Sequence, residues 1–199
     1  MWIYEKKLEI PVNIRSKDLK LAKALFSQYG GPDGELSASL RYLTQRYAMP
    51  TGKTKALLTD IGTEEMAHVE IIATMIHQMI RDASPEELKE AGLGGYYAQN
   101  GKDLFWVDSE GVPWTAAYVR ALGDPVANLM EDMAAEQKAR AVYEHLLSMT
   151  REPDIIRPLR FLWQREIVHF QRFGEALQHI YDFLDSRHHF HMGKDYPLE

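Results

Sequence analysis

The chain has 199 residues, 45% hydrophobic and 26% charged, with a formal net charge of -6; that is the size and balance of one globular domain with a real core. Basic residues are scattered among acids, which argues against nucleic acid as a partner. No apolar run approaches the ~20 residues of a membrane span, and the N-terminus lacks a signal peptide's apolar core, so no membrane is expected and synthesis is expected in the cytoplasm. The chain has no Cys, which removes disulfides, zinc–thiolate sites, iron–sulfur clusters and thiol nucleophiles.

Helix signals dominate from the start. A short helix is expected over 16–28, stopping at Gly30-Gly31. Asp33 is the expected N-cap of the next, which carries Glu35 and ends near Tyr47, before Pro50. Thr51-Gly52 makes a tight connection to a long helix reaching about Arg81. Ser84-Pro85 opens a small helix to Ala91, with Glu87 at the capping-box position. A glycine-rich stretch follows, 92–111, with turn signals at Asn100-Gly101 and Glu110-Gly111 and a short strand expected over 104–107. Asp124 caps a helix with Pro125 at its first position, ending near Thr150. The last helix is expected over 154–186, bent near Pro158, before an irregular tail. Two helix pairs with short connections, joined by a long one, spell an all-α, ferritin-like four-helix bundle with a long crossover between its second and third helices (the B–C connection). No domain boundary interrupts 1–199, so one ferritin-like domain with a short N-terminal arm is expected.

The second bundle helix carries an apolar seam at alternating spacings of three and four: Leu58, Ile61, Glu65, His68, Ile72, Met75, Met79. The last helix repeats it: Leu159, Leu162, Glu166, His169, Phe173, Ala176, Ile180, Phe183. Each seam is interrupted at its middle by Glu-x-x-His. Burying such groups unpaired costs several kcal/mol per ion, against a domain's net stability of ~5–15 kcal/mol. No lysine or arginine lies in either seam, so something else must compensate the charge.

Placement suggests what does. Glu35, Glu65 and His68 recur 101 positions later as Glu136, Glu166 and His169, and Tyr42 recurs as Tyr143. Each helix pair therefore supplies one Glu from its first helix and Glu-x-x-His from its second. Two such pairs about a pseudo-two-fold axis would converge four carboxylates and two imidazoles at the bundle centre. That set matches the known pattern of carboxylate-bridged dinuclear sites. Hard oxygen donors with imidazole suit manganese or iron. Four negative charges neutralise two divalent ions.

The stretches YGGPDGELSASLRYL, LLTDIGTEEMAHVEIIATM, GDPVANLMEDMAAEQKARAVYEHL and REIVHFQRF make the chain resemble the manganese catalases, most closely their short spore-coat members, over nearly its whole length. The resemblance implies two manganese ions per chain, with iron as the alternative. It implies Glu35, Glu65, His68, Glu136 and His169 as metal ligands, with Glu65 bridging. Glu166 is the implied acid/base group beside the metals; its counterpart in di-iron oxidases ligates metal, so that role stays open. Tyr42 is placed to hydrogen-bond a metal-bound glutamate, and Glu64 reads as a solvated or supporting group. The implied reaction is disproportionation of hydrogen peroxide. The implied setting is the spore coat, with coat proteins as partners and a homo-oligomer, the hexamer being the family's size. Two other readings remain open: a coat assembly protein with a non-catalytic metal, and a di-iron oxidase or iron-handling protein.

Overall fold

A computed structural model describes residues 5–96 and 103–186. The aromatic start Trp2-Ile3-Tyr4, the Asn100-Gly101 turn signal and the tail histidines His188, His189 and His191 lie outside them. Six α-helices follow in chain order: α1 Leu19–Gly30, α2 Glu35–Gln45, α3 Gly52–Ile80, α4 Pro85–Glu90, α5 Pro125–Ser148 and α6 Pro153–Ser186.

Local chemistry sets most of these boundaries. Asp18 accepts the Leu21 N–H at 2.9 Å and starts α1. Thr51 accepts from Thr54 and starts α3. Ser84 and Glu87 close the expected capping box of α4. Asp124 accepts the Ala127 N–H at 2.8 Å, with Pro125 in the first turn of α5. Each pairing satisfies a backbone donor that the first turn leaves free.

Two expectations are corrected. Gly34, not Asp33, caps α2, without a side-chain bond; a Cβ there would lie 2.7 Å from the Gln28 and Ser27 carbonyl oxygens, so the tight turn admits only glycine. Asp33 instead pairs with Lys138 at 2.6 Å. Among the described residues the 104–107 segment takes part in isolated bridges, Val107 with Pro113 among them, rather than in a regular strand, and it packs on the bundle. Trp106 stacks on Tyr29 with ring centroids 4.5 Å apart, and Gly30 lets the Val107 backbone pass so close that a Cβ would lie 2.6 Å from it. At the end of α2 the chain tightens into a 3₁₀ turn, Arg46–Ala48. The last helix runs unbroken through Pro158.

Helix α2 packs on α3 and α5 on α6, and the pairs meet through α3–α6 and α2–α5. The apolar core is split in two. One cluster holds Leu36, Ile72, Met75, Tyr143, Leu146, Leu159 and Leu162. The other holds Tyr42, Leu58, Ile61, Leu129, Phe173, Ala176 and Ile180. Along α2 and α6 the chain passes from the first cluster to the second; along α3 and α5 it passes the other way. Partners within each pair are therefore antiparallel, and so are the equivalent helices α2 and α5, which is the arrangement a two-fold axis across the bundle requires. The layer between the clusters is polar.

Candidate metal centre

That layer is Glu35 from α2, Glu65 and His68 from α3, Glu136 from α5, and Glu166 and His169 from α6, none more than 2% exposed. The three-and-four spacing that turns the leucines inward turns these groups inward with them. Glu65 lies at the centre. One of its oxygens is 2.7 Å from His68 Nδ1 and the other 2.8 Å from His169 Nδ1. Glu35 Oε2 lies 3.6 Å from His68 Nδ1, and Glu136 Oε2 lies 3.6 Å from His169 Nδ1. The imidazoles face one another with centroids 5.7 Å apart and planes 19° apart.

Among the described residues three groups of potential ligand atoms lie within 4.8 Å of one another: Glu35, Glu65, His68 and Glu166; Glu65, Glu136 and His169; and, at the outer edge of one imidazole, Glu9, Glu64 and His68. The first two make up the buried layer. Glu65 belongs to both, as a bridging carboxylate must. Each end carboxylate is held by a tyrosine from across the bundle. Tyr143 on α5 donates to Glu35 Oε1, and Tyr42 on α2 donates to Glu136 Oε1. The bond expected of Tyr42 is present, and its repeat equivalent Tyr143 makes the mirror-image bond.

At the outer edges of the imidazoles Glu64 takes the supporting place open to it in the sequence, and Arg165 and Glu9, which no motif singled out, join it. Glu64 reaches both, with Oε2 3.2 Å from His169 Nε2 and Oε1 3.7 Å from His68 Nε2. Arg165 grips Glu64 from the far side at 2.5 Å and 3.2 Å. Glu64 and Arg165 are 101 residues apart, equivalent positions of the internal repeat that carry opposite charges and bind each other. The signal was available in the sequence, one residue before each seam glutamate. Glu9 of the N-terminal arm adds a carboxylate 3.8 Å from His68 Nε2, and no spacing in the sequence could have revealed it.

Burial and charge set the electrostatics. Burial, then Glu65, raises the Glu35 carboxyl to about 8. Burial, then Glu35 and Glu136, drives Glu166 well above the carboxylate range. Burial alone would raise Glu65 too, but His169 and His68 outweigh it and hold it well below its ordinary value. Burial opposes protonation of His68, yet Glu65 and Glu35 lift it to about 10. Burial would likewise raise Glu64, but hydrogen bonds from His169 and Arg165 prevail and lower it to about 2.

A resident cation fits these donors. Glu65 Oε1, Glu136 Oε2, Glu166 Oε1 and His169 Nδ1 are buried without hydrogen-bond partners. His169 Nδ1 lies at contact distance from Glu65 Oε1, but the ring N–H is not aimed at that oxygen. Donor atoms that crowd together without bonding one another share an external target, and buried orphaned polar groups call for one. Among the described residues no lysine or arginine forms an ion pair with Glu35, Glu65, Glu136 or Glu166. Oxygen and imidazole donors without sulfur suit manganese or iron. In the site, Glu35, Glu65 and His68 would hold one ion and Glu65, Glu136 and His169 the other.

The profile of the family described as manganese containing catalase matches residues 1–186. Protein CotJC of Bacillus subtilis is 53% identical over 187 residues, 94% of this chain and 98% of that protein. A probable manganese catalase of Clostridium acetobutylicum is 36% identical, over 90% of this chain and 81% of that protein. The crystal structure of KatB, a manganese catalase from Anabaena PCC7120, superposes with a TM-score of 0.81 at 32% identity, covering 90% of this chain and 81% of that one. With a ferritin-like bundle closing on a buried layer of carboxylates and imidazoles, the chain belongs to the manganese-containing catalase family.

Proposed function

We propose that the chain is a working catalase that disproportionates hydrogen peroxide at two manganese ions, held by Glu35, Glu65, His68, Glu136 and His169 within one domain spanning the chain. The observation that carries this reading is the convergence of unpaired buried donor atoms on a common centre, with Glu65 between two imidazoles. When bound, manganese supplies two-electron redox between its divalent and trivalent states. One peroxide is oxidised to oxygen, losing two electrons and two protons; a second takes up both and becomes two waters. The chain must therefore hold and move protons in a site closed to bulk water.

Glu166 is the group for that task. It is 1% exposed and carries an oxygen with no partner, and it belongs to the Glu35–Glu65–His68 group. Burial, then Glu35 and Glu136, raises its pKa and so favours its protonated form relative to an ordinary carboxylate, the form a general acid needs. Tyr42 and Tyr143 fix the end carboxylates so that one oxygen of each turns inward. Glu64 lies against His169 Nε2 at 3.2 Å and His68 Nε2 at 3.7 Å, which leaves the Nδ1 side of each ring to ligate.

The resemblance to short spore-coat members supports assembly into the coat, with coat proteins and further copies of this chain as partners and a hexamer as the expected size. Among the described residues no helix is long and apolar enough to cross a membrane.

Oxygen evolution from hydrogen peroxide by the manganese-loaded protein tests the catalase reading, with Glu136→Ala as the control. Rapid release that the variant loses is expected; a metal-replete protein that releases none removes the reading. For Glu166→Gln the expected result is full manganese content with turnover down at least a hundredfold, and loss of metal would make Glu166 a ligand instead.

A further inference from the structure

A second buried polar cluster lies one helical turn from the centre. Arg41 and Gln45 on α2 and Asn128 and Asp132 on α5 are each at most 1% exposed. Their outer ends fasten the crossover to the bundle. Arg41 Nη2 donates to the Pro32 and Tyr118 carbonyls at 3.2 Å and 3.3 Å. Gln45 Nε2 donates to the Arg120 carbonyl at 2.9 Å. Asn128 Oδ1 accepts the Leu122 N–H at 3.1 Å.

Their inner ends are bare. Arg41 Nε and Nη1, Asn128 Nδ2, Gln45 Oε1 and both Asp132 oxygens have no hydrogen-bond partner. Three donors and three acceptors on these four buried side chains are thus left without hydrogen bonds. A buried guanidinium and a buried carboxylate held apart cost more than a closed pair would recover. Small hydrogen-bonding solutes resolve the deficit, since a buried water needs two to four polar partners and this cluster offers six.

The cluster has an outside and an inside. Outside, a cavity of about 570 Å³ is lined by crossover residues Val119, Arg120 and Leu122 and by Ala127 and Asn128 of α5. Asn128 is at once in that lining and in the buried cluster. Inside, Asp132 lies one turn before Glu136 on α5, and its charge, after burial and Glu136, raises the pKa of Tyr42, the residue that donates to Glu136.

We propose that Asn128, Arg41, Gln45 and Asp132 form a hydrated passage that leads small uncharged hydrogen-bonding solutes from the cavity under the crossover to the Glu136 side of the metal centre. Water is the resident solute. Hydrogen peroxide, of similar size and with the same donors and acceptors, is the substrate that would use it; that part rests on the catalase reading, and the passage itself does not.

The test uses the full manganese-loaded protein. Ala127→Trp fills the mouth without touching the four polar side chains, and Asn128→Leu removes a polar lining group. Two readouts are taken beside metal content and thermal midpoint. One is kcat and KM for oxygen evolution. The other is water-proton relaxation by the bound divalent manganese, which reports solvent exchange at the centre and needs no turnover. The expected result for Ala127→Trp is a fall in kcat/KM of about tenfold, a smaller change in kcat at saturating peroxide, and a several-fold fall in relaxation, with metal content unchanged. A wild-type protein without catalase activity would overturn the proposed function, and the relaxation readout would still judge the passage. Unchanged relaxation in Ala127→Trp, or a thermal shift in Asn128→Leu as the only effect, makes the cluster purely structural. A high-resolution crystal structure with Arg41 and Asp132 in direct contact and no water between them overturns the proposal as well.

Discussion

At the scale of single residues, Glu64 and Tyr143 show how little of this centre is its ligands. Glu64 faces the outer nitrogens of both imidazoles, so it orients two rings of the proposed centre at once. Glu64→Gln keeps the shape and removes the charge, and metal affinity should fall roughly 10–100-fold. Competition with a fluorescent chelator measures it, and an unchanged affinity would mean the imidazoles are held by their packing alone. Tyr143→Phe strands Glu35 Oε1 in a dry interior, which costs about 1–3 kcal/mol. Denaturant melts of the metal-free protein read that cost, and Tyr42→Phe should match it because it strands the equivalent oxygen of Glu136. A large inequality would show that the two halves do not share the load.

At the scale of elements, caps and close approaches hold the helices in register. Asp124→Ala removes the only side-chain cap of α5 and should cost about 1 kcal/mol, read as a shift in the denaturation midpoint with metal content unchanged. Gly30→Ala pushes a Cβ against the Val107 backbone. A backbone cannot step aside as a side chain can, so the crossover must lift from α1 at a cost of about 1–3 kcal/mol. Faster hydrogen exchange around residues 105–107 is the expected signature, and its absence would show that the crossover is held by Trp106 on Tyr29 rather than by this contact.

At the scale of the whole molecule, the polar layer that divides the core makes the metal-free protein sensitive to pH in both directions. The Glu35 carboxyl is raised from 4.5 to about 8. The folded protein therefore holds a proton that the unfolded chain has released, and the associated stability is full below 4.5 and lost as pH rises through 8. The His68 contribution, raised from 6.5 to about 10, is full below 6.5 and lost as pH rises through 10. Glu64, lowered from 4.5 to about 2, contributes above 4.5 and loses that contribution as pH falls through 2. Both flanks fall. The thermal midpoint of the metal-free protein should peak near pH 4.5 and decline above it, more steeply beyond about pH 6.5 where His68 joins Glu35, and a midpoint still rising at pH 9 contradicts these shifts. Manganese must displace the protons on Glu35 and His68, so its affinity should increase with pH over the range where they titrate.

The internal repeat made much of this legible in advance. Equal spacing of Glu35, Glu65 and His68 with Glu136, Glu166 and His169 placed all six in one layer before any coordinates, because helical periodicity and short connections leave few ways to arrange two equivalent pairs. The caps at Thr51, Ser84 and Asp124 were legible for the same reason, since each acts within one turn. Other features depend on residues far apart in the chain meeting in space. Asp33 faced Lys138 instead of capping α2. The 104–107 segment took Tyr29 as its partner instead of a strand. Glu9 approached His68 from an arm with no periodicity to place it.

The equivalence of Glu65 and Glu166 also ends in three dimensions. Glu65 touches both imidazoles, while Glu166 faces Glu35 and Glu136, on the side without the Glu64–Arg165 pair. The sequence by itself determined the helices, their pairing and the composition of the central layer, all consequences of periodicity and local capping. Only the tertiary structure decided which of two equivalent glutamates lies against both imidazoles, what supports the imidazoles, and that Arg41 and Asp132 are buried together without forming an ion pair, because each depends on how charges from four helices and the crossover share one dry space.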